Sequence, residues 1–312
     1  MLASIFSKTK PINYIILTLL VVICYSLFQL SNGESVDIIF YEVAKRLLFL
    51  LLFLLMMVLS QFIVAKNRLV NDNAYVPLLF VSFILFFPST FTEGRIIISA
   101  YFIMLALRRI FSLHSNTHSK EKIFDASLWI LVASLFHFWS ILYLILLFFA
   151  IIFFVAKDYK NWIIPLLAFF TVFIGLTIYL LVNDMTYLEW LTKKLQVSLN
   201  FMYFENTYQN IALAVFSSIA VLFFLSEAID IKNKAYNMQS TYKKMILCFL
   251  IGVAIFVVSP EKSNGVLLFT FFPLAVLGTK HIEGIKQKWR KEIILTSIFL
   301  LGLFFYGAQL FL

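Results

Sequence analysis

The chain has 312 residues, of which 62% are hydrophobic and 13% charged, with a mean hydropathy of +0.96; soluble domains carry about a quarter charged residues. That much apolar surface cannot be hidden from water, which excludes a soluble globular fold. A net charge of +9 does not point to nucleic acid, because the basic residues sit in short clusters at the ends of apolar runs rather than along one polar face.

Apolar runs of about 17 to 25 residues, the length that crosses a bilayer, recur along the whole sequence. They are continuous rather than alternating, so the expected fold is all-α: a polytopic transmembrane helical bundle of about eleven helices. The spans are expected near residues 12–30, 44–64, 75–90, 95–111, 123–137, 139–156, 162–182, 209–229, 244–259, 265–279 and 292–311. Lys8 and Lys10 precede the first run, but its length and the lack of a small-residue cleavage site favour a retained helix over a signal peptide. Cys24 and Cys248 lie inside apolar runs without metal or disulfide spacing and read as packing residues. No linker or repeat divides the chain, so residues 1–312 read as one transmembrane domain.

Residues 123–156 are too long for one ordinary span, yet contain no Pro or Gly turn. Charge decides between one helix and a hairpin of two short ones. With a hairpin, six of the 25 basic residues (Lys45, Arg46, Arg95, Lys193, Lys194 and Lys262) fall on one side and the other nineteen on the opposite side. A single helix would scatter the later clusters. The hairpin puts the N-terminus in the cytoplasm and the C-terminus outside. It also places Glu93, Arg95, His137, the turn 259–264 and the loop 183–209 together on the external face. Within that loop Tyr187, Leu188, Leu191, Leu195, Leu199 and Met202 recur at helical spacing, which predicts an interfacial helix.

No phosphate-binding loop, HExxH helix, GxSxG elbow or dinucleotide fingerprint occurs, so no metal or cofactor is expected. Attention turns to ionisable groups near the membrane. Arg95 opens a span beside Glu93 and can either anchor the helix at the interface or grip a phosphate with its forked donors. His137, set in Leu135-Phe136-His137-Phe138-Trp139-Ser140, is either a packed imidazole or a base. Glu261 and Lys262, in a short external turn, are either solvated or set to orient a hydroxyl and neutralise a diphosphate. Tyr187, Trp190, Tyr203 and Tyr208 are either an aromatic belt or stacking surfaces for sugars. The clusters on the opposite side, among them Arg108-Arg109 and residues 286–291, read as anchors against anionic lipid.

The run Glu93-Gly94-Arg95-Ile96-Ile97-Ile98-Ser99-Ala100-Tyr101, the basic end Arg108-Arg109 and the His137 segment together resemble the EpsG-like and Wzy-type polysaccharide polymerases of exopolysaccharide and O-antigen assembly. The resemblance in helix order covers most of the chain, and the motifs cover about 45 residues. It implies transfer of a growing glycan from a polyprenyl diphosphate to a lipid-linked repeat unit at the outer face of a bacterial cytoplasmic (inner) membrane. No cofactor or nucleotide would be needed. Arg95, His137 and Glu261 would be catalytic; Lys262, Glu93, Tyr101, Tyr187, Trp190, Tyr203 and Tyr208 would bind diphosphate or sugar. The implied partners are the lipid-linked oligosaccharide, membrane lipid, a flippase and a chain-length regulator. The sequence departs from the family in offering Lys262 where an Arg is expected. An O-antigen ligase-like transferase and a non-enzymatic transporter remain the alternative readings.

Overall fold

The computed structural model describes residues 2–31, 40–115, 117–199, 207–233, 236–260 and 262–311. Among them there is no β-strand. The helices, in chain order, are α1 (Leu2–Ile5), α2 (Pro11–Ser31), α3 (Phe40–Asn67), α4 (Tyr75–Phe86), α5 (Gly94–Phe111), α6 (Ser119–Phe136), α7 (Tyr143–Phe154), α8 (Lys160–Val182), α9 (Tyr187–Lys194), α10 (Thr207–Asp230), α11 (Tyr236–Val258), α12 (Leu268–Gly284) and α13 (Lys288–Phe311). The described residues thus form thirteen α-helices where about eleven were expected. The two additions are α1, a single turn, and α9, which belongs to the loop at 183–209; the others overlie the hydropathy segments.

Eight of these segments (α2, α3, α5, α8, α10, α11, α12 and α13, some extended by a flanking turn) are long and apolar enough to cross a membrane, and the chain is a multi-pass membrane protein. The remaining three have identifiable reasons for falling short. α6 carries Lys120, Glu121, Lys122 and Asp125 in its first two turns. α4 and α7 have 12 residues each, about 18 Å of helix against roughly 30 Å of hydrocarbon.

Of these two short helices α4 is central, whereas α7 leaves Ile145, Phe149, Ile152 and Phe153 exposed. Every residue of α4 is buried, and α12 is buried along nearly its whole length, as expected of helices apolar on all sides. α4 lies between α12 and α13, and Gly302 lets α13 approach so closely that an added Cβ would stand 2.9 Å from the Ser82 carbonyl oxygen. α8 lies at the rim, buried only at Asn161, Pro165, Ala168 and Leu180. Most of the buried apolar side chains form one contiguous cluster.

The stretch 123–156 breaks at His137. α6 stops at Phe136, His137 is extended (φ −131°, ψ 104°), and a 3₁₀ turn over Phe138–Leu142 leads into α7. No Pro or Gly causes this; contacts from elsewhere hold it. The Tyr143 hydroxyl, fully buried, donates to the Phe269 carbonyl oxygen at 3.1 Å, tying the start of α7 to the first turn of α12.

Two sets of connections gather at opposite ends of the bundle. At the lysine- and arginine-rich end, the Asn71 amide and the Asn73 Nδ2 both donate to Glu283 Oε1 at 2.7 Å, while Lys280 pairs with Glu283 Oε2 at 2.8 Å. The Tyr242 hydroxyl donates to the Leu69 carbonyl there. At the other end, Trp139 Nε1 donates to the Gln196 carbonyl oxygen and Lys262 Nζ to that of Ser198.

Candidate functional site

The end opposite the basic clusters holds a cavity of about 920 Å³. Its walls come from the turn before α5 and that helix's first residues (Thr92–Ile96), the break at 135–139, one face of α8 (Gly175, Leu176, Tyr179), the 185–194 segment (Met185, Trp190, Lys194) and the turn at Ser259, Pro260 and Ser263.

Two glycines let the first wall form. A Cβ on Gly94 would lie 2.2 Å from Cζ of Phe49, and one on Gly265 would lie 2.7 Å from Cγ of Glu93. The second close approach seats the turn before α12 directly against Glu93. Arg95 is the second residue of α5, exposed, in a first turn with no acidic residue. Its charge opposes the helix dipole, whose positive end lies at the N-terminus. Arg95 forms no ion pair or hydrogen bond with any described residue. The Gly94, Ile96 and Ile97 amides are taken by the Thr92 and Glu93 carbonyl oxygens, so the donors available to an anion here are those of the Arg95 side chain.

The α9 helix is built by a capping box. The Thr186 side chain accepts from the Glu189 amide at 3.3 Å, and the Glu189 carboxylate accepts from the Thr186 amide at 3.2 Å. This starts a helix that brings Trp190 and Lys194 to the cavity. Trp190 stands edge-on to Phe138, with ring centroids 6.5 Å apart. The expected interfacial helix is thus shorter than its hydrophobic pattern: it ends at Lys194, and 195–199 are not helical.

His137 packs its ring over Phe269 at 5.6 Å, and its Nε2 is enclosed without a hydrogen-bond partner. Further buried polar atoms lacking partners lie at the same end: Ser89 Oγ, Thr90 Oγ1, Ser140 Oγ, Ser263 Oγ and Asn264 Oδ1. Buried polar groups are normally satisfied by protein, water or ligand, and His137 and Ser263 both line the cavity. His137 and Ser263 therefore bring two unpaired polar atoms to the cavity wall, both enclosed within it.

Of the residues singled out from sequence, Glu93, Arg95, His137 and Trp190 come together here. Lys262 is not in the lining. Its ammonium donates to the carbonyl oxygens of Val257 (2.7 Å), Ser259 (3.3 Å) and Phe256 (3.4 Å), closing the end of α11, and to Ser198 (2.7 Å). Burial pulls its pKa below the usual lysine value. Tyr101 packs against Phe102 inside α5. Tyr187 stacks on Phe173 at 5.6 Å and donates its hydroxyl to Thr177. Tyr208 begins α10, half-buried, outside the lining. Glu261 and Tyr203 lie outside the described residues. Among the described residues, no three His, Cys, Asp or Glu side chains cluster as metal ligands would.

Lys194, Trp139, Tyr179 and Gly175 were not singled out by sequence reasoning. Lys194 was visible only as one of six basic residues on the sparse side; the capping box Thr186–Glu189, readable in the sequence, would have fixed the helix that carries it. Trp139 adjoins His137 and was legible only as part of that motif.

Neither the curated proteins nor the solved structures searched contain a match to this chain. The chain does match, over residues 1–311, the family described as "Family of unknown function (DUF6427)", and it belongs to that family.

Proposed function

We propose that this protein is a membrane glycosyltransferase of the polysaccharide-polymerase type, passing a growing glycan from a polyprenyl diphosphate to a lipid-linked repeat unit. The observation that carries the reading is the single cavity joining Arg95 at the start of α5, His137 at the helix break, Lys194, and the aromatic side chains Tyr179, Trp139 and Trp190. A diphosphate needs cations, a sugar needs flat apolar faces and hydroxyl partners, and an acceptor hydroxyl needs a base.

In this reading Arg95 and Lys194 face the diphosphate, and Lys194 takes the part expected of Lys262. The acceptor hydroxyl gives its proton to a base, for which His137 is the candidate, as its oxygen bonds the anomeric carbon. The bond from that carbon to the diphosphate oxygen breaks, and the leaving diphosphate carries the electron pair. Glu93, held by the close approach of Gly265, orients a sugar hydroxyl. The cavity end faces outward from a bacterial cytoplasmic membrane. Eleven helices cross or half-cross it, leaving the N-terminus inside and the C-terminus outside, in keeping with the six basic residues at this end against nineteen at the other.

Deleting the gene in its host and separating lipid-linked glycan on a gel tests this. Survival of the single repeat unit with loss of the ladder is the expected result. An intact ladder with polymer unattached to its final acceptor would favour a ligase, and unchanged glycan would sink both readings.

A further inference from the structure

A second cavity, of about 670 Å³, opens at the basic end of the bundle, remote from Arg95 and His137. It lies between the end of α3 (Lys66, Asn67, Arg68), the turn after α5 (His114), the end of α7 (Phe153, Phe154) and the first turns of α11 (residues 238–241 and Lys243). Lys66, Arg68 and Lys243 bring three basic side chains to this lining, and no carboxylate is present in it.

Two further observations single this cavity out from the general basic surface. Arg68 itself sits in the turn that ends α3, its left-handed backbone (φ 50°) closed by the Leu69 amide donating to the Val64 carbonyl oxygen at 3.1 Å. Asn67, only 6% exposed, donates Nδ2 to the Ile63 carbonyl but leaves Oδ1 buried without a partner. Just behind the lining, Lys122 is held by the Ser112 carbonyl and the Ser115 hydroxyl at 2.8 and 2.7 Å. Fully buried Lys244 sits over the rings of Phe154 and Phe111 at 4.3 and 5.0 Å. Lys122 thus adds to the positive potential behind the cavity.

We infer that this cavity binds a phosphate ester that also carries a free hydroxyl. The phosphate sits among Lys66, Arg68 and Lys243, and the hydroxyl donates to Asn67 Oδ1. Arg68 supplies the forked donors suited to phosphate oxygens. Phe153 and Phe154 give the same cavity an apolar side, which suits a phospholipid of the phosphatidylglycerol kind whose acyl chains stay in the bilayer. A free sugar phosphate shares the headgroup chemistry but leaves the two rings uncovered.

The test uses the full-length protein in detergent, equilibrated with mixed micelles of phosphatidylglycerol and phosphatidylcholine, with retained lipid read by native mass spectrometry. The expected result is selective retention of phosphatidylglycerol, reduced about tenfold or more in K66Q/R68Q/K243Q. Retention should be unchanged in K8Q/K10Q/K288Q, which removes equal charge from exposed lysines at the same end. Equal loss in both triple variants, or no preference in the wild type, would overturn the proposal, because the attraction would then be that of the whole basic surface. Asn67→Leu should weaken phosphatidylglycerol more than phosphatidic acid, which lacks the hydroxyl; equal weakening would remove Asn67 from the site. Adding glycerol 3-phosphate separates the sources. Displacement of the lipid at millimolar concentration assigns the site to a soluble phosphate ester, and persistence of the lipid assigns it to the membrane.

Discussion

Replacing Arg95 by Gln separates function from stability in a way that few substitutions in this protein do. The side chain is exposed, makes no ion pair or hydrogen bond with a described residue, and sits in the first turn of α5, where a positive charge opposes the helix dipole. Its removal should therefore cost no stability and add roughly 0.3 to 1 kcal/mol. If Arg95 faces the departing diphosphate, the same change removes stabilisation present mainly in the transition state. Losing one such donor in a closed site costs about 10²- to 10³-fold in rate. An exposed guanidinium belongs at the low end, about 100-fold, or about 2.7 kcal/mol of barrier. Arg95→Lys keeps the charge and loses the fork, for a loss of about tenfold. The assay is elongation of a purified lipid-linked repeat unit by protein in proteoliposomes, paired with thermal unfolding in detergent. Arg95→Gln with a rate within about threefold of wild type would refute the assigned role. A fall in unfolding temperature would refute the electrostatic account of its position.

Other expectations follow from the same geometry. Gly175 has no atom within 4 Å of an added Cβ and faces the cavity, so Gly175→Phe should abolish elongation with little change in unfolding temperature; retained elongation would show that the cavity is not used. Gly265→Ala brings a methyl within 2.7 Å of Glu93 Cγ, and the displaced carboxylate should weaken acceptor binding, read as a raised KM at similar kcat. Tyr143→Phe leaves the Phe269 carbonyl without its donor at the helix break, which should cost about 1 to 3 kcal/mol in denaturant unfolding. Thr186→Ala breaks the capping box of α9; about 1 kcal/mol of local helix stability should be lost, visible as faster amide exchange over 187–194.

Most of the bundle could be read from hydropathy because a span must satisfy its own backbone, whatever its neighbours do. The break at His137 was legible for a different reason. Nothing local demands it, but only a hairpin there keeps nineteen basic residues on one side. What the sequence concealed was the direction in which particular side chains turn. Lys262 was expected to meet a diphosphate because it is a cation in an external turn, yet the carbonyl groups at the end of α11 lie within its reach and hold it. Lys194, carried by the same charge tally, reaches the cavity because of where α9 starts. Tyr187 was expected to offer its face to a sugar and is instead stacked on Phe173 of α8. Such choices depend on distances between segments far apart in the chain, which periodicity does not encode.

α8 is buried at only four positions and packs chiefly along α6, yet it supplies Gly175, Leu176 and Tyr179 to the cavity wall. Between the cavity and the surrounding acyl chains there is thus a partition one helix thick on that flank. On the proposed function, a long isoprenoid substrate would keep its tail among the lipids while its headgroup occupied the cavity, with only α8 to pass on that flank. Entry there would need no water-filled passage through the bundle.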